Sequence, residues 1–146
     1  MPEIQINIIT ILIAVVANFF FGFLWFSVLF KKVWAKEMGF EANEEVPKKV
    51  LFKSLGLALI GYFLLAFALT QQIALYNPET WGLGASNLSN AERIIEVVFC
   101  VWLGFFVPML LNNVAWAKHS WKLFAINASY HLFALSLVAK ILIYLD

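Results

Sequence analysis

Residues 120–145, SWKLFAINASYHLFALSLVAKILIYL, decide which solvent this chain folds in. The stretch can cross a bilayer, because about 20 predominantly apolar residues rising ~1.5 Å each span the hydrocarbon core. Yet it carries Asn127, His131 and Lys140. Ionisable and strongly polar groups are tolerated at that depth where they face other protein or a wet cavity. The stretch therefore predicts a helix inside a bundle, and its polar positions are the first candidates for function.

The rest of the chain agrees with that solvent. Of its 146 residues 63% are hydrophobic and 13% charged, with a mean hydropathy of +0.85, where a soluble domain has roughly half and a quarter. Four segments, 6–30, 51–76, 94–114 and 121–144, are long and apolar enough to span. They predict one all-α domain over residues 1–146, a polytopic membrane protein with four transmembrane helices in an antiparallel bundle. The first segment has no basic residue before it and an apolar run too long for a signal peptide, so it reads as a retained transmembrane helix.

Several chemistries are disfavoured. Cys100 is the single cysteine, so neither an internal disulfide nor a cysteine metal cluster is available. His119 and His131 lie about 18 Å apart along one helix and cannot share an ion. Phosphate-binding glycine loops and nucleophile elbows are missing, and the charge balance of +1 gives no basic surface for nucleic acid. The expectation is therefore no catalytic residue, no metal and no cofactor, with the lipid bilayer as the first partner.

Local signals set the connections. Ser89-Asn90-Ala91-Glu92 has the spacing of a capping box, in which Ser and Glu side chains satisfy backbone donors at a helix start. Residues 117–120 leave room only for a tight turn, with Ser120 as N-cap, so the last two helices are neighbours. Pro47 fits a first helical turn, and Gly39 a left-handed helix end that closes an extension through KKVWAKEM. Pro108 removes an intrahelical bond at the carbonyl of Gly104, and a kink is expected there.

Orientation follows from the basic residues, which short cytoplasmic loops retain. Lys31, Lys32, Lys36, Lys48, Lys49 and Lys53 flank the first connection, and Lys118 and Lys122 flank the third. The second, over residues 77–89, has none. Both termini are thus expected on the outer side. Aromatic anchors give the same map, with Trp34, Trp116 and Trp121 at the inner interface and Tyr76, Trp81 and Tyr144 at the outer one.

The intramembrane polar residues admit two readings. Asn127 and His131 share a face of the last helix, with His131 near the midplane. There it is either a proton relay, ligand donor or acid/base, or a neutral ring packed between helices with Asn127 as glue. In the first helix Ala14, Asn18 and Gly22 form a small-residue stripe suited to close packing, with Asn18 bonding across it. The tight turn brings Glu96 level with the region of Ile141, so an ion pair of Glu96 with Lys140 is expected, shared with Arg93. Trp25 and Trp102 lie deeper than the interfacial belt, lining a pocket or filling the core.

Two stretches carry a resemblance. Gly22-Phe23-Leu24-Trp25-Phe26-Ser27, leading to Phe30 and Trp34, and Trp121 to His131, WKLFAINASYH, resemble the bacterial membrane family called domain of unknown function 1761. Phe26 stands where that family commonly has Tyr, and Val28 where it commonly has Pro. The resemblance implies a small four-helix protein of the bacterial cytoplasmic membrane and marks Trp25, Trp34, Asn127 and Tyr130 for testing. It implies no activity. The functional expectation is a non-enzymatic bundle that self-associates or binds lipid or a membrane partner. The alternative is a small transporter or channel component using Asn18, Asn127 and His131, most naturally as a homo-oligomer. A membrane enzyme acting on a lipid or quinone comes third.

Overall fold

The computed structural model describes residues 4–41 and 44–145. All regular structure among them is helical. Helix α1 is Ile8–Leu29, α2 is Lys31–Met38, α3 is Lys48–Leu75, α4 is Asn90–Trp116 and α5 is Trp121–Tyr144, with one 3-10 turn at Pro78–Trp81. Helices α1, α3, α4 and α5 have 22, 28, 27 and 24 residues and are apolar enough to cross a membrane. At ~1.5 Å per residue each exceeds the ~30 Å hydrocarbon core.

Side-chain chemistry sets the helix ends. Asn7 Oδ1 accepts from the Thr10 N–H at 3.3 Å and starts α1. Ser89 and Glu92 form the reciprocal capping box that their spacing predicts, with Ser89 N–H donating to Glu92 Oε2 at 2.8 Å and Glu92 N–H to Ser89 Oγ at 3.3 Å. Ser120 Oγ accepts from Leu123 N–H at 3.1 Å and starts α5. Gly39, at φ 78°, closes α2 in the left-handed region. Pro47 is the extended residue before α3 rather than part of its first turn. Helix α3 consequently begins three residues before the apolar run, carrying Lys48 and Lys49 into the helix.

Two irregularities were not expected in this form. Helix α1 does not run straight into KKVWAKEM: residues Leu24–Leu29 are π-helical, Phe30 leaves the helical region, and α2 starts afresh. The π-turn closes with Phe30 N–H donating to Trp25 O at 2.9 Å. In α4 the disturbance expected at Pro108 takes the form of a second π-turn at Trp102–Phe106, in which Val107 N–H reaches back to Trp102 O. A residue that cannot donate just beyond the turn makes the wider ring the cheaper arrangement there.

Helix α5 is the axis of the fold. It buries nine side chains, among them Leu123, Tyr130, Ala134, Leu135 and Val138, and meets α1, α2, α3 and α4. Thr10 Oγ1 donates to Leu145 O at 3.4 Å, whereas Trp25 Nε1 donates to Ile126 O at 3.3 Å, so α1 and α5 run in opposite directions. One core cluster joins Ile11 and Ala14 of α1, Leu69 of α3, Val97 of α4 and Leu135 of α5; the second gathers Trp25, Ile126, Tyr130 and Ala134. Helix α3 buries only Ala66, Leu69 and Thr70. Its remaining apolar surface, Leu57, Ile60 and Leu64 included, faces outward as a lipid-contacting helix requires.

Candidate functional site

The candidate site is the polar spot inside the second cluster, and it begins with a missing side chain. Gly22 of α1 is buried, and a Cβ there would lie 3.0 Å from both the Tyr130 and the Tyr62 hydroxyl oxygens. Both phenols therefore converge on the space that the glycine leaves. One turn earlier, Asn18 is 1% exposed and its Oδ1 accepts from Tyr130 Oη–H at 3.5 Å. The α-helical spacing of Ala14, Asn18 and Gly22 puts all three on one face of α1, and all are buried.

Around the Tyr130 hydroxyl is an aromatic wall. The Phe21 ring stacks on Tyr130 at 5.7 Å with 10° between planes, and Phe26 packs against it at 4.7 Å. Trp25 contacts Phe30 at 4.7 Å, and Trp34 contacts Phe26 at 5.3 Å and Phe40 at 5.6 Å. Phe21 and Phe40 apart, these residues come from the two stretches that carried the family resemblance, so both motifs meet in one cluster. Trp34 is half-buried within it, whereas Trp116, Trp121, Trp81 and Tyr144 are exposed.

Both π-turns deliver a tryptophan to the same level of α5. Trp25 Nε1–H donates to Ile126 O at 3.3 Å, and Trp102 Nε1–H donates to Ala128 O at 2.8 Å. Asn127 lies between these two carbonyls and is half-buried. His131 is also half-buried, with its ring against Phe106 at a centroid distance of 4.4 Å and edge-on to Tyr130 at 5.1 Å. Ser129 and Ser136 turn back to the carbonyls of Ala125 and Leu132 on their own helix. Among the described residues no buried side-chain nitrogen or oxygen lacks a hydrogen-bond partner.

The expected ion pair is corrected. Glu96 and Lys140 are both exposed, and no salt bridge joins either of them, or Arg93, to an opposite charge among the described residues. Ile94, Val97 and Val98 form the buried stripe of α4, and Glu96 falls on the opposite side. On α5, Val138, Ala139 and Leu142 are buried while Lys140 points outward. Rise per residue fixes a level along the axis, but the helical turn fixes the direction, and the directions diverge.

Trp102 was legible in the sequence by its depth, whereas Tyr62 was the position of the polar spot least visible there. Tyr62 sits in the middle of α3, away from the interfacial belt where Tyr is common, and that depth was the available signal. Two openings lie outside the polar spot, the larger one behind its Phe26 and Trp34 wall. A cavity of about 1090 Å³ is bounded by Phe26, Trp34 and Phe40 together with Lys31, Lys32 and Lys36. A smaller one of about 150 Å³ involves Arg93 and Asn77. Neither is lined by Asn18, Asn127 or His131.

The Asn18 to Tyr130 contact gives a direct test. Asn18→Ala and Tyr130→Phe, alone and together, should show a coupling of about 0.6 kcal/mol in thermal unfolding in detergent, the usual scale for a polar bond between membrane helices. Strictly additive effects would mean that the two side chains are neighbours without a bond.

A family model described as "Protein of unknown function (DUF1761)" matches residues 9–143. No curated protein and no solved structure matches the chain.

Proposed function

The chain belongs to the DUF1761 family, and from that footing we propose that it is a non-enzymatic helical bundle of the bacterial cytoplasmic membrane, with both termini outside, that engages lipid at its lysine-rich end. The observation that carries this reading is how the interior polar groups are used. Asn18 and Tyr130 bond to each other, and the indoles of Trp25 and Trp102 bond to backbone carbonyls of α5. His131 packs on an aromatic ring. Asn18, Tyr130 and the two indoles, spent on holding helices together, are not free to relay protons or grip a passing solute, which argues for the packing role over the transporter reading.

The larger cavity supports the lipid part. It combines aromatic side chains with Lys31, Lys32 and Lys36 and with Glu41, Glu44 and Glu45, at the end that the excess of basic residues assigns to the cytoplasmic leaflet. Apolar walls beside both ammonium and carboxylate groups suit a zwitterionic phospholipid, its phosphate at the lysines, its amine at the carboxylates and the start of its chains along the aromatic rings.

Accessibility tests the reading. In a Cys100→Ala background, cysteines placed at Asn18 and at Ala134 should resist a membrane-impermeant maleimide added from either side, while one replacing Lys36 should react from the cytoplasmic side only. Rapid labelling at Asn18 would reveal a water path and favour transport. Labelling at position 36 from outside would reverse the orientation.

A further inference from the structure

At the end of the bundle opposite the lysines, we infer that Arg93 and its neighbours form a binding site for a single phosphate- or carboxylate-type anion. The cavity there measures about 150 Å³. One water's share of liquid is about 30 Å³, so the space holds a tetrahedral or planar oxyanion but no acyl chain. Its polar lining comes from Gln5, Thr70, Asn77, Thr80 and Arg93, and among the described residues none that lines it is acidic.

The donors are sorted by bonds that already exist. Asn77 Oδ1 is committed to the Glu79 N–H, which leaves the Asn77 amide NH₂ free to donate. Thr70 Oγ1–H is committed to Ala66 O at 2.9 Å, so Thr70 serves as wall. Arg93, Thr80 and Gln5 complete a set whose free capacity includes a guanidinium fork, the geometry that grips phosphate and carboxylate oxygens in pairs. The carboxylates nearest in sequence are used or directed elsewhere. Glu92 Oε2 accepts from Ser89 N and Oγ in the capping box, and Glu96 is exposed. Arg93 is half-buried without a carboxylate partner among the described residues. It also lies in the first turn of α4, where the helix dipole favours a negative charge. A half-buried guanidinium at the membrane edge calls for a counter-charge, and this cavity is shaped to admit one.

The anion has two sources, a free oxyanion or the phosphate of a lipid headgroup, and one set of measurements separates them. The full chain, purified in an uncharged detergent, is unfolded thermally against rising inorganic phosphate at constant ionic strength. The melting temperature should rise and saturate, and Arg93→Gln should weaken the apparent affinity at least tenfold, with Arg93→Lys in between. Repeated in phosphatidylcholine nanodiscs, the phosphate response disappears if a headgroup already occupies the site and persists if the site takes a free anion. Should Arg93→Gln fail to fold, Asn77→Ala leaves α4 intact and carries the same comparison. No saturable response in detergent, or an equal response in the parent, Arg93→Gln and Asn77→Ala, overturns the site. The measurement is independent of lipid binding at the lysine-rich end.

Discussion

Gly22→Leu should be among the most damaging single substitutions in this protein, lowering stability in detergent by about 3 kcal/mol, the upper end for overpacking a filled core. The first added carbon already meets two phenol oxygens at 3.0 Å, and the remaining three have nowhere to go without separating α1 from α5. Gly22→Ala is the more discriminating variant. Replacing a helical glycine by alanine ordinarily gains up to ~1 kcal/mol through backbone entropy, so a net loss there measures the clash directly. Gly56 and Gly61 of α3 supply the control, because a Cβ on either meets nothing within 4 Å. Alanine at those positions should be neutral or stabilising. If Gly22→Leu melts with the parent while Gly56→Leu does not, the packing of α1 on α5 is wrongly assigned.

Trp25→Ala should cost about 3 to 5 kcal/mol, the usual loss for emptying the volume of a large buried aromatic. The side chain is 8% exposed, touches Phe21, Phe30, Tyr130 and Phe133, and donates to Ile126 O. Trp25→Phe separates the two contributions. It keeps much of the packing and removes one hydrogen bond to a carbonyl, for about 0.5 to 1.5 kcal/mol. Trp116, 84% exposed at the end of α4, should tolerate alanine within about 0.5 kcal/mol. Thermal unfolding of the three variants would contradict the cluster if Trp25→Ala and Trp116→Ala proved alike.

What could be read in advance divides along physical lines. The spans, the Ser89 and Ser120 caps and the Gly39 terminus each depend on one continuous stretch, so the sequence displays them openly. The burial of Ala14, Asn18 and Gly22 is a periodicity and was visible for the same reason. What they face was not, since Tyr62 and Tyr130 arrive from other helices and no local pattern pairs them. The Glu96 to Lys140 pairing failed on direction: the count along the axis says nothing of which side a residue takes once α5 is surrounded by several helices. Neither π-turn has a local signature apart from Pro108, because a π-turn is selected by what its side chains reach across the bundle.

Those two π-turns have a consequence for how the chain tolerates insertion and deletion. Each α-helical residue advances the helical phase by about 100°, and a π-turn acts as one residue too many lodged in an otherwise regular ladder. In α4 it lets a single span point Ile94, Val97 and Val98 inward on one side of the turn and Leu110 inward on the other. Deleting one residue of α4 between Ile94 and Trp102 would leave the π-turn in place and rotate everything beyond it by about 100°, so Leu110 would swing away from the interior although the helix kept its hydropathy. Length and composition would be blind to that loss. For these two spans, then, residue count modulo the helical repeat is as much a part of the fold's specification as apolar character.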